Sequence, residues 1–300
     1  MSLVINHNLM AMNAARNLGS SYASLSNSVR RLSSGLRVGT AADDAAGLAI
    51  RELMRAEIAT LNQGVRNASD AISMIQTADG ALQVIDEKLI RMKELAEQAA
   101  TGTYNSDQRL MIESEYQAMA SEITRIANAT KFNGVHLLNG NLSSDSHDGT
   151  GLVSKGKVKI HFGTGNDNAE DYYYFSIGNA TASALGLGNN SDRIRTHDAG
   201  YAISTQHAAQ QALDAINQAI ISKDKIRAQL GAMQNRLENT ISNLQIQAEN
   251  LQAAESRISD VDVALEMTEF VRNQVLTQAA VAMLSQANAL PQMALRLIQG

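Results

Sequence analysis

Six histidines are the first candidates for chemistry: His7, His136, His147, His161, His197 and His207. A helical metal grip needs two imidazoles four residues apart, and no pair among these has that spacing. Asn166, Asp167, Asn168, Glu170 and Asp171 offer the oxygens that calcium takes. They lack the ligand order and central glycine of a calcium-binding loop, and a polar cluster of this kind is ordinary at a hairpin tip. Gly186 and Gly188 begin a dinucleotide-type glycine run, but Ser191 stands where the third glycine belongs. Asn67, Asn128, Asn141 and Asn179 head N-x-S/T triplets, which carry little meaning without a secretory leader. No nucleophile, acid–base pair, metal cluster or cofactor loop emerges, so the expectation is a protein that is not an enzyme and has no cofactor.

Composition narrows the class further. The chain has 300 residues with a net charge of -5, one proline, no cysteine and no tryptophan. The negative balance leaves no basic footprint for nucleic acid. No stretch of eighteen apolar residues occurs, so no membrane partner is expected. The amino terminus, MSLVINHNLM, has no Lys or Arg before Arg16 and lacks the charged region of a secretory signal. A single proline (Pro291) in such a length leaves long stretches with nothing to stop a helix.

Those helices are legible in the spacing of apolar residues. Leu18, Tyr22, Leu25, Val29, Leu32 and Leu36 recur at alternating intervals of four and three, which is a heptad seam. A turn-prone stretch follows, and Thr40 with Asp43 predicts the start of a second helix. That helix carries Leu82, Ile85, Leu89, Met92, Ala96 and Ala99 and stops near Gly102. A third opens near Ser106. From Phe132 to Gly200 the pattern changes: Val158, Ile160 and Phe162 alternate with polar residues, and Tyr172 to Ile177 forms a second β-favouring run, which predicts a hairpin. Helical spacing returns near Ser204 through Leu230, Leu237 and Leu244. A polar break at Glu255 to Asp262 separates a last helix with Leu276, Ala280, Met283, Leu290 and Leu297. The two end helices have seams too narrow for a core of their own, so each is expected to pair with the other. The fold class is mainly α: a long antiparallel coiled-coil rod from the two chain ends, with a small β-hairpin region in the middle.

Several long motifs in order make the chain resemble bacterial flagellin. They are VINHN (4–8), RLSSGLRVGTAADDAAGLAI (31–50), KFNG (131–134), LGAMQNRLENTISNL (230–244) and ENLQAAESRISDVDVALEM (249–267). Val38-Gly39 stands where the family usually has Ile-Asn, and the ALRLIQG ending is longer than usual. The resemblance implies a short flagellin: a terminal coiled-coil domain of 1–42 with 258–300, a rod domain of 43–257 with a β-rich insert at about 132–200, and no outer variable domain.

It also implies partners. The chain would polymerise with copies of itself through Leu18, Tyr22, Leu25, Val29, Leu32, Leu36, Leu276, Ala280, Met283, Leu290 and Leu297. It would leave the cell unfolded through the flagellar type III apparatus and become part of the extracellular filament. An export chaperone would cover Leu276, Met283, Leu284, Leu290 and Leu297, and cap and junction proteins would meet the filament ends. Vertebrate Toll-like receptor 5 is a further implied partner, because Arg91, Leu95 and Glu115 match the family's contact positions. Leu95 also falls outside the Leu82 to Ala99 seam, as an interface anchor would.

Two other readings stand beside this one. A hook–filament junction protein shares the terminal helices and a similar length, but would differ in the motifs at 31–50 and 230–267. A signalling coiled-coil hairpin explains the heptads but not the β region or the polar breaks near residues 40 and 257.

Overall fold

The computed structural model describes residues 8–148, 155–168, 170–187 and 202–299. Among these residues five helices dominate: α1 (Leu9–Ser34), α2 (Ala45–Ala100), α3 (Ser106–Ala129), α4 (Gln206–Ser259) and α5 (Val263–Gln299). Among the described residues, six short strands lie between α3 and α4: β1 (Lys131–Phe132), β2 (Val135–His136), β3 (His147–Asp148), β4 (Lys155–Gly156), β5 (Val158–His161) and β6 (Tyr172–Phe175). They form three antiparallel pairs, β1 with β2, β3 with β4 and β5 with β6. The protein is mainly α with a small β region, as the periodicity predicts. The chain forms two compact units, Met1–Ile58 with Glu249–Gly300, and Ala59–Ala248.

In the first unit α1 and α5 run antiparallel. Asn8 near the start of α1 donates from Nδ2 to the Ala287 carbonyl at 2.8 Å, while Arg31 near its end lies 3.6 Å from Glu266. Asn8 also caps α1, its side-chain oxygen accepting from the Ala11 N–H. At the other end Gly35 takes the left-handed conformation (φ 72) and returns its N–H to the Arg31 carbonyl.

The two linkers beyond these helices then pair briefly. Leu36 bridges Asp260, with Arg37 N–H donating to the Ser259 carbonyl at 2.7 Å and Val261 N–H to the Gly35 carbonyl at 3.0 Å. Arg37 reaches the Ile258 carbonyl, and the buried Arg51 reaches the Val38 carbonyl at 2.6 Å. One expected boundary is corrected here. Thr40 and Asp43 bond to each other in a turn, and α2 begins later, at Ala45, where the Asp44 carboxylate accepts from the Gly47 N–H.

The second unit holds the main core. Leu82, Ile85, Leu89, Met92, Ala96 and Ala99 of α2 are buried, as are Tyr116 and Ile123 of α3 and Leu230, Leu237 and Leu244 of α4. α3 opens with a capping box between Asn105 and Gln108. Its Arg109 folds back to bond the Ala99 and Thr101 carbonyls, closing the open end of α2. Strand β5 turns Ile160 inward, with Phe162 just beyond it, and β6 turns Phe175 inward, while Tyr174 lies exposed. The end of this hairpin sits on α2 at Gly64: a Cβ there would come within 2.0 Å of the Phe162 carbonyl oxygen. Asn67, one turn further on, donates to the His161 carbonyl at 2.8 Å.

Candidate functional site

α1 meets α5 through a row of shielded residues spaced three and four apart: Ala14, Leu18, Ser21, Leu25, Ser28 and Leu32. Leu18, Leu25 and Leu32 lie in this row, and Leu36 lies half-buried in the linker bridge. Tyr22 and Val29 do not. They are 60% and 48% exposed, and Ser21 and Ser28 fill their places in the seam. On α5 the shielded row is Phe270, Asn273, Thr277, Ala280, Leu284 and Ala287. Ala280 and Leu284 are in it; Leu276 and Met283 face outward, Met283 at 64% exposure. The side chains of Leu290 and Leu297 lie outside the described residues.

The physical reason is one of size. Serine, threonine, asparagine and alanine fill much of the inner seam, and large apolar side chains are spread over the outside of the same helices. On α5 alone Val263, Leu265, Val271, Val275 and Val281 are open to solvent beside Leu276 and Met283. The apolar surface of the two helices is therefore wider than the seam between them encloses. Serines spaced seven apart, Ser21 and Ser28, three residues after Leu18 and Leu25, are the signal that an apolar-only heptad reading passes over.

The second cluster lies on α2 and α3. Arg91 donates from Nε and Nη2 to one oxygen of Glu115, at 2.9 and 2.8 Å, and from Nη1 to Glu94 at 2.9 Å. Both Arg91 and Glu115 are about half exposed. Leu95 is a correction: at 1% exposure it is a core residue and not a protruding anchor. In this stretch α2 meets α3 through Arg91 and Ala99 and α4 through Asp86, so its buried arc is wider than one heptad seam.

Among the described residues no three His, Cys, Asp or Glu side chains gather as a metal site. Asp171 accepts from the Asp167 and Gly165 N–H groups, which draw its carboxyl below the usual range and tie the hairpin loop to itself. Among the described residues no helix is long and apolar enough to cross a membrane.

Residues 5–143 match the family described as the bacterial flagellin N-terminal helical region, and residues 213–298 match its C-terminal helical region. The chain belongs to the bacterial flagellin family. The 33 kDa flagellar filament core protein of Treponema phagedenis is 41% identical over 99% of this chain and 100% of its own length. The flagellin of Bacillus subtilis (strain 168) is 42% identical over 98% of this chain and 99% of its own. Among solved structures, a putative flagellar hook-associated protein from Vibrio parahaemolyticus aligns with a TM-score of 0.56 over 73% of this chain and 100% of its own. At 14% identity that likeness concerns fold alone. As a flagellin, the chain is a structural protein, a subunit of the flagellar filament.

Proposed function

We propose that α1 and α5 form the polymerising element of this flagellin, with copies of the same chain covering the outward apolar side chains of both helices. The observation that supports this most directly is α5, whose large apolar residues point away from α1. Left in water, such a surface is an aggregation hazard; shared among subunits, it becomes the driving force of assembly. The terminal domain is 1–42 with 258–300, and the extracellular filament is its destination.

The same surface suits an export chaperone before assembly. Leu276 and Met283 are open for it, with Leu284 at the edge of the seam, and cap and junction proteins would take the place of missing copies at the filament ends. Toll-like receptor 5 would meet the half-exposed Arg91 and Glu115, supported from beneath by Leu95.

Seeded assembly tests the reading. The purified chain is mixed with short sonicated filament seeds and followed by electron microscopy, beside a Val275→Asp variant. Long filaments from the unaltered chain and none from the variant are expected. A chain that only caps the seeds would favour a junction role.

A further inference from the structure

The chain has twelve methionines and no cysteine, so thioethers are its only readily oxidised sulfur. Their placement is uneven. Met10 and Met12 on α1, and Met267, Met283 and Met293 on α5, are all exposed, from 44% at Met267 to 64% at Met283. Met74 and Met92 on α2 are buried, at 8% and 0%. Five exposed thioethers therefore lie on the helix pair whose outer face carries the unpartnered apolar residues.

A flexible, polarisable thioether adapts to an irregular apolar contact, which suits a surface that must fit several neighbours. It also brings a chemical vulnerability. Hydrogen peroxide oxidises the sulfur by two electrons: the peroxide O–O bond breaks, a sulfur–oxygen bond forms, and water leaves. The product is a polar sulfoxide on a side chain that assembly would enclose among Val, Leu and Met. An enclosed polar oxygen without a donor opposes burial.

We infer that Met10, Met12, Met267, Met283 and Met293 form an oxidation-sensitive set that governs assembly: the reduced chain polymerises, and the sulfoxide form is excluded from the filament until reduced. This rests on the α1/α5 assembly reading and adds its regulation. The oxidant class is a peroxide, and the restoring activity is a methionine sulfoxide reductase. Once the filament has formed, the same sulfurs are shielded, so the sensitivity belongs to the subunit before incorporation.

The test uses the full chain. It is treated with dilute hydrogen peroxide, mapped by peptide mass spectrometry, and assayed for the lowest concentration that sediments as filaments. Oxygen is expected on the five exposed methionines and on Met111, another exposed thioether, but not on Met74 or Met92. The critical concentration rises about tenfold for each sulfoxide enclosed, helix content by circular dichroism stays constant, and sulfoxide reductases restore assembly. A variant with all five replaced (Met10→Leu, Met12→Leu, Met267→Leu, Met283→Leu, Met293→Leu) keeps the volume. It should assemble equally before and after peroxide while Met111 still gains oxygen. Unchanged assembly of the oxidised chain, or equal sensitivity in the five-fold variant, overturns the inference. Failure of the untreated chain to elongate seeds overturns the assembly reading itself, a different outcome in the same assay.

Discussion

The ammonium of Lys223, in the N-terminal half of α4, is 2% exposed and pairs with the carboxylate of Asp86 on α2. Its own-helix neighbour Asp224 lies 2.8 Å away on the open side. One turn along, Arg227 bonds Asp79 at 2.7 Å. Asp79 and Asp86 are one heptad apart, so the two cations of α4 meet successive acidic positions of α2. A heptad seam by itself tolerates a slip of seven residues, because apolar positions repeat. Such a slip would set Lys223 against Asp79 and Arg227 against Ile72, or Lys223 against Lys93 and Arg227 against Asp86, so either slip loses one of the two ion pairs. The pair makes one register of α2 on α4 better than its neighbours.

Asp86→Ala should therefore lower stability by about 2 kcal/mol, because it leaves a buried ammonium with only Asp224. Lys223→Met should be neutral or stabilising to about 1 kcal/mol, since both the charge and its desolvation disappear. Urea unfolding followed by circular dichroism separates these outcomes. Equal losses from both substitutions would mean that the pair contributes stability and not register.

Acid tests the adjoining pair. The side-chain hydrogen bond from Arg227 holds the Asp79 carboxyl below its usual value, against a smaller opposing effect of burial. A carboxyl lowered in the folded state contributes stability above its unfolded value, near pH 3.9, and loses it as pH falls through the folded value. Chemical unfolding at a series of pH values should show this loss beginning below about pH 4. Asp79→Asn should flatten that part of the curve.

Two glycines of α2 offer a sharper contrast. At Gly64 a Cβ would stand 2.0 Å from the Phe162 carbonyl oxygen, whereas at Gly80 nothing lies within 4 Å. Gly80→Ala should stabilise by up to about 1 kcal/mol through helix propensity. Gly64→Ala has the same propensity gain and should nevertheless destabilise by about 1–3 kcal/mol, because backbone must shift to admit it. Tyr173, whose ring lies 4.6 Å from Phe162, would report the hairpin's displacement in near-ultraviolet circular dichroism.

Much of this architecture is legible in the order of residues. The α2 seam from Leu82 to Ala99, the α4 seam through Leu230, Leu237 and Leu244, and the β5–β6 hairpin all follow from period alone, because each faces a core that rewards large apolar groups. The α1/α5 pair does not follow so directly. Period-based reading places the largest apolar residue of each turn in the seam, and so puts Tyr22, Val29, Leu276 and Met283 inside. The fold places Ser21, Ser28 and Thr277 there and leaves the larger groups outside. An exposed apolar residue has the same side chain as a buried one, so period alone does not tell them apart. Leu95 escapes for the opposite reason: a helix with two partners buries more than one stripe.

Removal of either chain end tests the division of labour between the two units. Deletion of 1–42 or of 258–300 takes away one member of the α1/α5 pair and leaves the core built on Leu82, Ile123 and Leu237. Either truncation should remain largely helical and stay monomeric by sedimentation. Long filaments from either would show that the outer faces of α1 and α5 are not required.

Arg91, Glu115 and Leu95 would be treated alike by a receptor-binding scan, yet the structure assigns them different physics. Arg91 and Glu115 form a half-exposed ion pair, so Arg91→Ala should leave the melting curve essentially unchanged. Leu95 is enclosed, and Leu95→Ala should cost about 2–5 kcal/mol by leaving a cavity. Weakened receptor binding by Arg91→Ala with an unchanged melting curve would place the side chain in the contact. Weakened binding by Leu95→Ala has to be measured under conditions where the variant is fully folded, because loss of the α2–α3 surface would mimic loss of a contact. If Leu95→Ala binds normally once folded while Arg91→Ala does not, the exposed pair carries recognition and the leucine only supports it.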